Sequence, residues 1–201
     1  MQEGFVSLQS LFPSVQIELR YATSHNLTGE PLDGYHAQKA YLTREAADAF
    51  GQVLQTLEMQ GYRVLIYDTY RPQKAVNHFL RWSQQPEDGR TKAEFYPDLE
   101  KIQLFPLGYI ALKSGHSRGS TIDLTLTDAD GHPLDMGSCF DRMGEISHHD
   151  YMQLPPEVLA RRQMLKKCME VAGFLPYENE WWHYRLANEP FPDTYFDFDI
   201  E

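Results

Sequence analysis

Two apolar rhythms run along this chain, one of period two and one close to 3.6. Residues 15–21, VQIELRY, set Val15, Ile17 and Leu19 against Gln16, Glu18 and Arg20, which predicts a half-buried strand. A polar, turn-rich loop follows over 22–36. From 43 to 60, Ala46, Ala47, Phe50, Val53, Leu54 and Leu57 recur at helical spacing, with Thr43 placed to cap the N-terminus and Gly61 to stop the helix. YRVLIYD, 62–68, reads as a mostly buried strand. Pro72 suits the first turn of a second helix with Ala75, Val76, Phe79 and Leu80 on its apolar face, so Arg71 falls at a strand-to-helix junction.

Between 86 and 113 the pattern dissolves into a stretch rich in Gly, Pro and charge, long enough to predict a lid or an insertion. TIDLTL then restores alternation, with Ile122, Leu124 and Leu126 on one face and Asp123, Thr125 and Thr127 on the other; DADG, 128–131, is the turn expected to fold it back. A third helix is predicted over 155–173, its stripe formed by Val158, Arg162, Leu165, Met169 and Ala172, with Arg162 at the edge. WWHYRL, 181–186, is a last strand by its aromatic content. Interspersed strands and helices with an antiparallel turn predict one α+β domain over 1–201, without internal repeats.

Composition narrows the function. The 201 residues suffice for one substantial core. With 18 Lys+Arg against 29 Asp+Glu, the formal charge of -11 works against a phosphate-binding face and therefore against nucleic acid as a partner. No segment reaches the ~20 consecutive apolar residues of a membrane span. The N-terminal stretch lacks the positive start of a secretory signal, and two cysteines, Cys139 and Cys168, are too few for a disulfide framework. A cytoplasmic setting is the expectation, or a periplasmic one if a signal peptide was removed. Oligomeric state is not legible.

The chemistry centres on KSGHSRGSTIDLTL, 113–126, which admits two readings. GHSRG fits the G-x-S-x-G elbow of a serine hydrolase, with Ser117 as nucleophile. That elbow needs a helix behind the serine, whereas STIDLTLT is β-branched and alternating. Alternatively His116 and Asp123 are two ligands of one metal ion, and EWWH, 180–183, offers a third ligand in His183 and a base in Glu180. On a regular strand residues 180 and 183 project to opposite faces, so this reading requires a bulge or a helix there. His148 and His149, adjacent in a polar stretch, read as surface residues. DADG is a turn and not a calcium loop, whose twelfth position would be Cys139 instead of Glu.

Taken together, S-x-H-x(6)-D (Ser114, His116, Asp123) and E-x-W-H (Glu180, Trp182, His183) resemble the zinc D-Ala-D-Ala dipeptidases of the VanX type, within the larger group of D,D-peptidases. The likeness extends to ELRYATSHNLTG at 18–29, YDTYRPQKA at 67–75 and LDMGSCFD at 134–141. The resemblance implies a hedgehog/D,D-peptidase-like α+β fold with a central antiparallel sheet flanked by helices. It implies one zinc ion on His116, Asp123 and His183, Glu180 as catalytic base and Arg71 as oxyanion stabiliser. Tyr21, Ser114 and Asp141 match positions of substrate contact, and the implied partner is a small dipeptide. Two rivals use the same scaffold: a D,D-carboxypeptidase or L,D-endopeptidase acting on peptidoglycan peptides, and a non-catalytic zinc module. Retention of both Glu180 and Arg71 speaks against the second.

Overall fold

The computed structural model describes residues 2–201, among which seven strands and five helices form. In chain order they are β1 (Phe5–Ser7), α1 (Leu8–Leu11), β2 (Gln16–Ile17), β3 (Tyr41–Thr43), α2 (Arg44–Glu58), β4 (Arg63–Asp68), α3 (Gln73–Ser83), α4 (Lys92–Phe95), β5 (Thr121–Thr127), α5 (Pro156–Val171), β6 (Phe174–Tyr177) and β7 (Glu180–Leu186). A five-stranded sheet runs in the order β2-β4-β5-β7-β6. Only the β2–β4 pair is parallel; β4–β5, β5–β7 and β6–β7 are antiparallel, as an α+β fold requires. A separate ribbon pairs β1 with β3.

The long helices begin and end close to where the pattern places them. Thr43 Oγ1 accepts from the Ala46 amide, a cap contributing about 1 kcal/mol, and Gly61 takes the left-handed conformation that ends α2, at φ 80°. α2 and α5 pack against each other and over one face of the sheet, with Ala46, Phe50, Val53 and Leu57 buried beneath α2. In α3 the buried set is Ala75, Val76, Phe79 and Trp82, while Leu80 is only half-buried. Arg162 is not at the edge of its stripe but inside: its guanidinium donates to the carbonyls of Met136, Ile146 and His148 and to Ser138 Oγ. These bonds offset the desolvation of a buried cation and tie α5 to the loop that carries Asp141.

Several expectations are corrected. The strand predicted over 15–21 pairs only at Gln16 and Ile17. Beyond Glu18 the backbone of Leu19 bonds the Gln38 side chain in both directions, and a 3-10 turn over Arg20–Ala22 swings Tyr21 inward. The period-two pattern therefore persists in side-chain burial without a partner strand. DADG does turn the chain, but the return is a single bridge, Thr127 to Pro133; the antiparallel partners of β5 come from β4 and β7. Both faces of β5 are buried, its polar face included. β6 escaped the periodicity because Pro176 and exposed Leu175 interrupt its four residues.

Candidate metal centre

Two strand irregularities build the site. In β4–β5 the register shifts by one residue between Ile66 and Asp68, so that Asp68 lies opposite Asp123 and shares its face. A regular ladder would have put Tyr67 there, because a slip of one residue exchanges the faces of a strand. At the start of β7 a second bulge sets Tyr177 opposite Glu180 while Pro176 pairs with Tyr184. It rotates Glu180 onto the face of His183, with Oε2 3.5 Å from His183 Nδ1. The requirement that residues 180 and 183 share a face is met by a bulged strand, not by a helix. β5 and β7 are in register at Asp123 and His183.

His116 arrives from a 3-10 turn, Gly115–Arg118, that precedes β5. Ser114 Oγ caps this turn by accepting from the His116 amide, and Gly119 closes it at φ 81°, where a Cβ would collide with the Phe5 ring. His116 Nδ1 donates to the Thr69 carbonyl at 2.6 Å, which fixes the tautomer and leaves Nε2 as an inward-facing acceptor. That nitrogen lies 3.3 Å from His183 Nδ1 and 3.3 Å from one oxygen of Asp123, whose other oxygen is 3.2 Å from His183 Nδ1. Asp123 Oδ1 is buried and makes no hydrogen bond.

Those separations fit a cation at the centre. Ligands about 2.0–2.1 Å from a tetrahedral zinc are about 3.3 Å apart, and two imidazoles with one carboxylate form a donor set of the kind catalytic zinc sites use. His116, Asp123 and His183 thus compose a three-ligand cluster. Burial opposes ionisation of Asp123, but the neighbouring His116 and His183 hold its carboxyl well below the usual range; burial pushes His183 below the ordinary imidazole value. Glu180 is pushed well up, first by burial and then by the charges of Asp123 and Asp141.

Around the cluster stands a second tier that sequence reasoning only partly reached. Arg71 directs Nε and Nη2 to Asp68 Oδ2, both at 2.9 Å, and its Nη2 lies 3.7 Å from Asp123 Oδ2. It stacks over Tyr21, 4.6 Å from the ring centre. Asp68, buried and missed from sequence, is the residue that aims Arg71; its other oxygen accepts from Tyr35 at 2.7 Å. The only sequence signal was its place in YDTYRP, three residues before Arg71. Tyr21 and Asp141, nominated separately, form one pair, the phenol donating to both carboxylate oxygens at 3.0 and 2.8 Å. Burial raises the Asp141 carboxyl to about 7. Asp141 also holds φ 62°, the one non-glycine in the left-handed region among the described residues.

Tyr35→Phe tests this second tier. It leaves one oxygen of a buried carboxylate without a donor and is expected to lower stability by about 1–3 kcal/mol in urea unfolding, with a fall in kcat as Arg71 loosens.

All eight nominated residues, Tyr21, Arg71, Ser114, His116, Asp123, Asp141, Glu180 and His183, line one cavity of about 250 Å³. Gly108, Tyr109, Ile110 and Ala111 from the 86–113 segment line it too, held by Tyr177 Oη donating to the Gly108 carbonyl and by Tyr109 Oη against His148 Nε2. His148 and His149 are accordingly half-buried, not surface residues. Ser117 is fully buried, its Oγ has no partner, and it does not line the cavity; a strand follows it, not a helix. The elbow reading has no geometry to stand on.

A polar, water-accessible cleft with two imidazoles and a carboxylate converging beside a buried glutamate belongs to the metallopeptidase class of enzymes. The chain belongs to the D-ala-D-ala dipeptidase family, whose sequence profile matches residues 1–201. It is 46% identical to a D-alanyl-D-alanine dipeptidase of Streptomyces coelicolor over 201 residues, covering all of both chains. A D-alanyl-D-alanine dipeptidase of Enterococcus faecalis is 45% identical over the same full span. One from Escherichia coli is 34% identical over 181 residues, 90% of this chain and 83% of the relative. No described helix is long and apolar enough to cross a membrane.

Proposed function

We propose that this enzyme hydrolyses the D-Ala-D-Ala dipeptide, with one zinc ion held by His116, Asp123 and His183. The observation that carries the reading is the convergence of those three side chains with Glu180 and Arg71 on one small cavity. When bound, zinc supplies Lewis acidity, making a water acidic and polarising the scissile carbonyl. Glu180 takes the proton of the attacking water and passes it to the leaving amine; its raised affinity for protons suits both halves of that transfer. Arg71, fixed by Asp68, faces the oxygen on which negative charge develops, a contribution of about 3 kcal/mol by the scale of one oxyanion donor. Tyr21 with Asp141, and Ser114, line the same cavity and are the partners proposed for the ammonium and the carboxylate of a dipeptide.

Size favours this reading over the carboxypeptidase rival. A cavity of about 250 Å³ is below the usual range for drug-sized ligands and suits two alanines. Residues 1–201 act as one domain in this account, and the 86–113 insertion restricts the cavity through its 108–111 turn. A panel of Ala-Ala stereoisomers together with a peptide of five residues ending in D-Ala-D-Ala tests it. The D,D dipeptide is expected to be cleaved at least roughly a hundredfold faster, in kcat/KM, than the L,L isomer and the longer peptide. Faster turnover of the longer peptide would move the assignment to a carboxypeptidase.

A further inference from the structure

Along the outer side of α5 lies a second, partly open cavity that the dipeptidase chemistry does not use. Along β7 the side chains alternate, so His183 points to the metal cluster while Tyr184 points to the opposite face, beneath α5. Beside α5 a cavity of about 560 Å³ opens toward the 149–152 segment, lined by His149, Arg162, Lys166, Lys167 and Glu170. Met152 and Leu159 supply its apolar wall.

Two observations bear on what this cavity binds. His149 Nε2 is buried and without a hydrogen-bond partner, and so is the hydroxyl of Tyr184, whose ring packs edge-on against His149 at 5.8 Å. Buried polar atoms are paired in the great majority of cases, and of these two orphans His149 lines the cavity while Tyr184 stands behind it. Charge gives the sign of what fills it. On a chain of net charge -11 this cavity gathers three cations and a single carboxylate, and neither lysine reaches an ion pair with Glu170 or any other described residue. Burial and the cations of Lys166 and Arg162 together push His149 down to about 4. The imidazole is therefore neutral beside positive charge, with one N–H to offer.

We propose that this cavity is a binding site for a small anion carrying phosphate or carboxylate groups, held by Lys166 and Lys167 through charge and by His149 through a hydrogen bond. Lysine ammonium groups supply the attraction as point charges; the imidazole N–H supplies direction.

The test uses the full-length, zinc-loaded protein, with histidine ring resonances followed by NMR while pyrophosphate, and separately citrate, is added at constant ionic strength. The expected result is a saturable shift of the His149 ring, with the midpoint moved roughly tenfold or more to higher concentration in Lys166→Gln/Lys167→Gln. Both lysines lie away from the catalytic cavity, so D-Ala-D-Ala turnover by this variant should match that of the parent and certify its fold. Saturation by pyrophosphate alone assigns phosphate, by citrate alone carboxylate, and either supports the site. A His149 ring that does not move, or that moves with the same midpoint in parent and variant, overturns it. Shifts confined to His116 and His183 overturn it as well, since they report anions in the catalytic cavity.

Discussion

Treatment with phenanthroline is expected to abolish hydrolysis of D-Ala-D-Ala, and stoichiometric zinc to restore it, while a serine-directed phosphonate leaves the rate unchanged. His116 Nε2, His183 Nδ1 and the Asp123 carboxylate face one another at 3.2–3.3 Å, the separations that ligands of one tetrahedral zinc have. A cation at the centre of these three atoms offsets the burial of the Asp123 charge and satisfies the inward-facing lone pair of His116. His116→Ala or His183→Ala removes one of the three proposed ligands, and loss of an outer-shell partner alone typically costs about 10–100-fold in metal affinity or activity. Both variants should purify with zinc well below one equivalent and with turnover at background. Metal analysis alongside the hydrolysis assay decides the matter: full activity in protein shown to be metal-free would refute the zinc assignment. Inhibition by the phosphonate would return attention to Ser117, whose burial makes that outcome the less expected one.

Glu180→Ala should separate metal binding from catalysis. Its carboxylate is 3.5 Å from His183 but outside the cluster of three ligands, so zinc content is expected to stay near one per chain. Turnover should fall by roughly 10²–10⁴-fold, the range for loss of a general base. The base acts only when ionised, and burial together with the charges of Asp123 and Asp141 raises its pKa. The acid limb of kcat/KM in the parent should therefore lie above the ordinary glutamate range, activity falling as pH drops through it, and Glu180→Ala should flatten that limb. If zinc and activity disappear together in this variant, Glu180 is a ligand and the roles have been confused.

The fold was legible wherever one face of an element is apolar and the other is not. α2, α3 and α5 announce themselves by helical spacing and by Thr43, Pro72 and Gly61, since capping and helix punctuation are local chemistry. The site was legible for a different reason. His116, Asp123, Glu180 and His183 stand at fixed short spacings whose residue types suit one metal-dependent reaction, and a resemblance over most of the chain added Arg71, Tyr21, Ser114 and Asp141. Strand length was less legible: alternation over 15–21 describes which side chains are buried, and hydrogen-bond partners ended β2 after two residues. Arg162 was misplaced because a cation on an apolar stripe looks peripheral until the carbonyls that satisfy it are known.

The sequence by itself determined the helices, the α+β class and the candidates for the reacting groups, all of which depend on neighbours within a few positions or on motifs of fixed spacing. Only the tertiary structure decided how those groups meet. The bulges at Asp68 and at the start of β7 choose which face of each strand the carboxylates occupy, and a bulge is set by pairing between strands distant in the chain. The same holds for the role of Asp68 in aiming Arg71, for the Tyr21–Asp141 pair and for the orphaned imidazole nitrogen of His149 beside α5. Each depends on contacts between residues far apart in sequence, and local periodicity carries no information about those.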